Sequence, residues 1–247
     1  FNENFIIDIS IIYVKIFVVI LTMFIFILSF DFFKYEKFQL FEYTFLLILS
    51  VISMFFLLIS NNFFVFYLAL ELQSFCFYIL CSIIRYSNLS IEASLKYFIL
   101  GSFASGIYLF GVSIIYGMLG STNFSQIYVA INLFYHLNSL SLATFFGIIF
   151  IFVGILFKLA LVPFHFWLPD VYEGAPTIVV AFLAIISKIS FFFAFMNLYY
   201  FVFKNWTFFF LTDILLFIGF FSILIGGVLG LYETKIKRLL AYSGISH

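Results

Sequence analysis

The chain has 247 residues, of which 66% are hydrophobic and only 9% charged, with basic and acidic residues in equal number. Soluble chains carry roughly 25% charged residues, so a soluble domain is excluded, and zero net charge offers nucleic acid no basic surface. Two cysteines, Cys76 and Cys81, five apart in one apolar run, can build neither a disulfide framework nor a four-ligand metal site.

A spanning helix needs about 20 mostly apolar residues, and seven or eight such runs follow one another. The start, FNENFIIDIS, is acidic and polar and is not a signal peptide. The first run is Ile9–Phe30, followed by the charged loop DFFKYEKFQLFEY. The second, Phe41–Ser60, closes at the short turn Asn61-Asn62, and the third, Phe63–Ile84, carries Glu71 near its middle and ends at Arg85. Ser90 is the expected N-cap of the fourth run, which has Lys96 in its second turn and continues to about Leu119. Its small residues Gly101, Ser102, Ser105 and Gly106 suit close helix approach in a membrane.

A polar linker from GSTNFSQ through Asn132–Ser141 leads to the fifth run, Leu142–Pro163. All three prolines, Pro163, Pro169 and Pro176, then fall within fourteen residues. Proline cannot continue a helix without a kink, and irregular backbone at membrane depth is tolerated only where protein or a water-filled cavity receives its polar groups. The sixth run is Ala175–Phe203, the seventh Phe208–Tyr232 after the turn Lys204-Asn205-Trp206, and LLAYSGISH reads as the first turns of an eighth. If the runs alternate, Lys34, Lys37, Arg85, Lys235, Lys237 and Arg238 share one side, against Lys204 opposite and Lys15 near the start of the first span. The positive-inside rule makes the basic side cytoplasmic or, in a mitochondrion, the matrix side.

Glu71, Lys96, Lys158 and Lys188 lie inside apolar runs on four different helices. A charge at mid-bilayer costs roughly 2.5–3.5 kcal/mol on insertion scales. Burial and a neighbouring carboxylate push a lysine's proton affinity in opposite directions. Moving the carboxylate therefore switches a buried lysine between holding and releasing a proton, which is a proton-transfer element. The plainer alternative is that each lysine snorkels to a headgroup or makes a fixed ion pair. His165, between two prolines, suits a proton relay near neutral pH or a fixed bond to a loop carbonyl, and His247 suits a relay on the last helix. Asp170 and Glu173 fit a loop or a helix N-terminus, where the dipole favours carboxylates. Three scattered His and two Cys give no haem, Fe–S or metal pattern, so no cofactor is expected in this chain. Phe, at 43 residues, is the commonest residue type, with Ile, Tyr and Asn also frequent. That bias points to an A/T-rich organellar genome, or simply to a Phe-rich lipid-facing surface.

The segments FKLALVPFHFWLPDVYEGAPT, AFLAIISK, YLALELQS, EASLKYFILGSFASGIYLFGVSIIYG and ETKIKRLLAYSGISH resemble the antiporter-like membrane subunits of respiratory complex I and their Mrp-type cation/proton antiporter relatives. PDVYEGAPT with EASLKYF and LLAYSGISH is most similar to the subunit 2, or subunit N, branch. The resemblance implies an all-α polytopic membrane protein built on inverted five-helix repeats, each with one broken helix. It places a leading helix and loop at 1–40, a first repeat at 41–204 with its break near 158–171, and the start of a second repeat at 205–247.

It also implies a proton relay in which Glu71 modulates a neighbouring lysine, Lys96 and Lys158 form a half-channel, Lys188 links to a central axis, and His247 matches a family histidine. The implied activity is proton translocation within a mitochondrial NADH:ubiquinone reductase whose redox centres lie in other subunits. The implied partners are other membrane-arm subunits, lipids such as cardiolipin, and a second polypeptide supplying the rest of the second repeat. An Mrp-type antiporter subunit and a non-pumping membrane scaffold are the alternative readings.

Overall fold

The computed structural model describes residues 4–36, 40–136, 142–203 and 210–247. The expected turn at Lys204-Asn205-Trp206, the loop position Lys37 and the end of the 132–141 linker lie outside the described residues. The helices are α1 (Ile9–Glu36), α2 (Leu40–Ile59), α3 (Phe63–Cys81), α4 (Asn88–Leu119), α5 (Phe124–His136), α6 (Leu142–Leu159), α7 (Trp167–Gly174), α8 (Thr177–Phe182), α9 (Lys188–Leu198), α10 (Phe210–Tyr232) and α11 (Ile236–Ser246). Two π-helical turns, Leu183–Ser187 and Tyr199–Phe203, flank α9, so Thr177–Phe203 is one continuous spanning element. Seven helical segments among the described residues are long and apolar enough to cross a membrane. The all-α polytopic architecture read from the apolar runs is the one observed.

Loop contacts bear directly on the alternation of the spans. Asn62 caps α3 by accepting from the Phe64 amide at 2.8 Å, filling one of the orphan positions every helix start leaves. Its Nδ2 donates to Asn123 at 2.7 Å and to Asn4 at 3.3 Å. Backbone bonds from Phe63 to Thr122 and from Phe124 to Asn61 complete the join. One end of the bundle therefore gathers the N-terminal segment, the α2–α3 turn and the α4–α5 turn. At the other end Arg85 pairs with Glu42 at 2.7 Å, and α7 meets α4 and α11.

Three local expectations are corrected. The fourth helix starts at Asn88, and its cap is Ser87, whose hydroxyl accepts from the Ser90 amide; Ser90 instead donates to the Cys81 carbonyl at 2.6 Å. The segment between α4 and α6 is not simply a linker, because Phe124–His136 is helical, with Ile127 and Ile131 buried one turn apart. The fifth run ends at Leu159 rather than at Pro163. There Ala160 adopts φ 58°, its amide donates to the Phe157 carbonyl, and the Leu161 amide reaches back to Leu156. This is the paired C-terminal bonding of a Schellman motif, with alanine where glycine is usual.

α4 and α6 pack closely. A Cβ on Gly111 would lie 2.7 Å from the Gly147 carbonyl, and one on Gly154 would lie 2.7 Å from the Tyr108 Cβ. Small residues at such a crossing let backbones touch where lipid gives no hydrophobic drive for association. The buried side chains form two aromatic-rich cores, one around Trp167, Tyr97, Phe77 and Phe182, the other around Phe63, Phe66, Tyr108 and Phe152.

Candidate functional site

The Schellman turn at Leu159–Leu161 stops α6 immediately after Lys158. The chain then turns through 160–166 and re-enters helix at Trp167, whose indole N–H donates to the Phe157 carbonyl at 3.0 Å. That bond ties the two halves of the broken helix together. Lys158 is 5% exposed, and its Nζ has no hydrogen-bond partner. It lies 5.8 Å from the centre of the Tyr78 ring, a cation–π contact that compensates a buried ammonium in part. The Glu71 carboxylate is within electrostatic reach of Lys158, and its Oε1 is likewise buried without a partner. Glu71 and Tyr78 share α3, so one helix supplies both the anion and the aromatic face.

Aromatic rings pack around this end of α6. Tyr97 stacks on Trp167 with ring centres 4.5 Å apart and planes 5° from parallel, Phe157 covers the indole from 5.6 Å, and Tyr78 meets Tyr97 edge-on at 4.8 Å. Nearby on α3, Gln73 is fully buried, with neither amide atom partnered. Unpaired buried amides and ammoniums cost free energy that a small number of waters can recover.

Lys96 occupies different surroundings. Its side chain is 44% exposed and pairs with Glu92 at 2.9 Å and Asp170 at 2.8 Å. Asp170, in the first turn of α7, also accepts from Arg238 of α11 at 3.0 Å. Arg238 and Lys235 both bond Glu173, and Lys237 donates to the Ala175 carbonyl at 2.8 Å. Lys235 first, and Arg238 with it, hold the Glu173 carboxyl below the usual carboxylate range. The two lysines of the expected half-channel have different surroundings: Lys158 is buried, whereas Lys96 belongs to an ion cluster joining α4, α7 and α11.

Lys188 begins α9 directly after the π-helical turn Leu183–Ser187 and donates to the Gly244 carbonyl of α11. π-helical turns inside helices are frequent at functional sites. His165 is 3% exposed in the break, with Nδ1 unpartnered and its ring 4.4 Å from that of Phe166. His247 is exposed at the end of α11, where its amide donates to Ser243. Among the described residues no three His, Cys, Asp or Glu converge to hold a metal ion. Sequence reasoning passed over Tyr78, Tyr97, Trp167 and Gln73, although a glutamine two residues beyond a buried glutamate was a readable signal.

The family model described as NADH:quinone oxidoreductase/Mrp antiporter, TM, matches residues 60–247. NADH-ubiquinone oxidoreductase chain 2 of Marchantia polymorpha is 43% identical over 99% of this chain and 50% of its own length. NADH-quinone oxidoreductase subunit N of Pelagibacter ubique is 38% identical over the whole chain and 51% of its own length. Among solved structures, a chain of respiratory complex I from Thermus thermophilus superposes with a TM-score of 0.70 at 31% identity, covering 84% of this chain and 43% of that one. A chain of the Mrp complex from a Dietzia species shares the fold, with a TM-score of 0.71 at 24% identity. The chain spans about half the length of the curated relatives it matches.

Proposed function

This chain belongs to the NADH:quinone oxidoreductase/Mrp antiporter transmembrane family, and from that membership we propose that it translocates protons in the membrane arm of a respiratory complex I. The observation that carries the reading is Lys158: an ammonium 5% exposed, without a hydrogen-bond partner, with the Glu71 carboxylate in electrostatic reach. A fixed structural lysine in a membrane is paired or snorkels. One left without a bonded anion is poised to exchange its proton as the carboxylate's distance or protonation changes. Lys158 is the group that carries the proton, Glu71 sets its affinity, and His165 beside the break is the candidate donor or acceptor on the α7 side. Lys188 passes charge toward α11 and His247. Lys96 takes part through the ion cluster, by fixing α7 against α4.

The same proposal places the chain in the mitochondrial inner membrane with its basic loops facing the matrix, in contact with other membrane-arm subunits and with lipids such as cardiolipin. NADH oxidation and ubiquinone reduction belong to other subunits of that complex. Residues 41–204 act as one five-helix repeat, and 205–247 open a second one, completed by further helices on the same polypeptide or a separate one. The identities of 38–43% lie with subunits of NADH oxidoreductases, which favours this reading over an Mrp-type antiporter.

The test uses the intact complex in proteoliposomes with a pH-sensitive dye. Lys158→Ala and Glu71→Ala should each abolish most acidification while the complex still assembles. Full pumping by both variants would instead make the chain a scaffold.

A further inference from the structure

We propose that the groove between α1 and α2 holds one acyl chain of an anionic phospholipid whose phosphate meets Lys15. The groove has a volume of about 350 Å³. Val19, Met23 and Phe26 line it from α1, and Leu47, Val51 and Phe55 from α2. Thr22 and Thr44 also border it, but their hydroxyls donate to the carbonyls of Val19 and Leu40 in their own helices. They therefore turn methyl groups to the groove, and it is apolar along its whole length. The α2 wall runs from Thr44 to Phe55, about 16 Å at 1.5 Å per residue. An acyl chain reaching down one leaflet, half of a hydrocarbon core about 30 Å thick, is about as long, and the groove lies over the middle of α2, ending four residues short of Ile59.

Lys15 gives the groove a polar end. It precedes Val19 by four residues and so continues the same stripe of α1, and its Nζ lies 5.6 Å from the centre of the Phe55 ring that ends the α2 wall. No carboxylate pairs with Lys15 among the described residues. A cation this close to hydrocarbon is costly without a counter-ion, and its flexible stem lets the ammonium reach headgroup level. An apolar channel of acyl-chain length with a single cation at its mouth fits a phosphodiester headgroup carrying net negative charge. A neutral lipid would fill the channel and leave the lysine uncompensated. A helix of another protein would need its own carboxylate opposite Lys15.

The experiment places the intact membrane complex in vesicles of phosphatidylcholine doped with a phosphatidylglycerol or a phosphatidylcholine that carries a photoreactive diazirine on one acyl chain. Peptide mapping after illumination reads which residues are labelled. Phosphatidylglycerol should label 19–26 and 44–55 about fivefold more than phosphatidylcholine, the preference one lysine gives near a membrane surface. Lys15→Gln should equalise the two probes without removing the label. Val51→Trp should remove label from both, and a native gel showing normal assembly guards against misfolding. Equal labelling of the unmodified protein by the two probes would overturn the proposal in favour of ordinary annular lipid. Absence of label from both would overturn it in favour of a covering helix.

Discussion

Lys96 and Lys158 read alike in the sequence, each a base in an apolar run, yet the structure gives them opposite surroundings. Lys96 has two carboxylates within 3 Å and nearly half its side chain exposed, whereas Lys158 has no bonded partner and almost no exposure. The stacked set of Tyr97, Trp167 and Phe157 adjoins both in the chain, Tyr97 next to Lys96 and Phe157 next to Lys158. Consecutive side chains on α4 thus have different surroundings. A satisfied charge is a strut, and an unsatisfied one is available for transfer. Where a membrane lysine sits matters less than whether its charge is already answered.

The largest test of this contrast is functional. Lys158→Met should cut proton pumping by roughly 100-fold, the scale of losing a positioned proton carrier, and leave thermal stability unchanged or raised, because an unpaired buried charge has gone. Lys96→Met should do the reverse, retaining much of the pumping while loosening α7. Comparable pumping by the two variants would erase the distinction.

Next in size is the α4–α6 crossing, which carries Lys158. Gly111→Val places methyl groups against the Gly147 carbonyl and should cost about 1–3 kcal/mol by overpacking, read as a lower unfolding temperature in detergent. Smaller again, Ala160→Gly removes an αL alanine from the helix break and should stabilise by about 1 kcal/mol, shifting the same transition upward.

The smallest effect is expected from acid. Glu173 has its carboxyl lowered in the folded protein, so its contribution is present above the unfolded value, about 4.3, and is lost as pH falls through the lower folded value. Protection factors of the 236–246 amides, corrected for the intrinsic exchange rate at each pH, should therefore fall below about pH 4, and Glu173→Gln should show the lower protection already at neutral pH. Unchanged exchange in that variant would mean that the clamp on α11 does not depend on Glu173.

Spans were legible because twenty apolar residues leave few alternatives to a membrane helix. Glu71, Lys158 and Lys188 stood out as charges for the same reason. The end of the fifth run was placed at Pro163, four residues late, because proline is a visible breaker, while the αL conformation of Ala160 leaves no mark in an alanine. α5 was hidden by Ser125, Gln126 and Asn132, which dilute its apolar face. Tyr78, Tyr97 and Trp167 were lost among 43 phenylalanines, since a buried aromatic looks like one that faces lipid. The Asp170–Arg238 pair spans 68 residues, and no local pattern announces such a contact.

The junction at Asn62 has a consequence for ionic strength. Amide groups and backbone bonds stitch that end of the bundle, from Asn4 to Asn123, while ion pairs fasten the other, from Glu42 to Arg238. At 1 M salt the screening length falls to about 3 Å, which weakens attraction between half-exposed charges and leaves neutral hydrogen bonds largely untouched. Concentrated salt should therefore loosen the molecule at one membrane face and spare the other, a polarity that comes from bond type rather than from net charge.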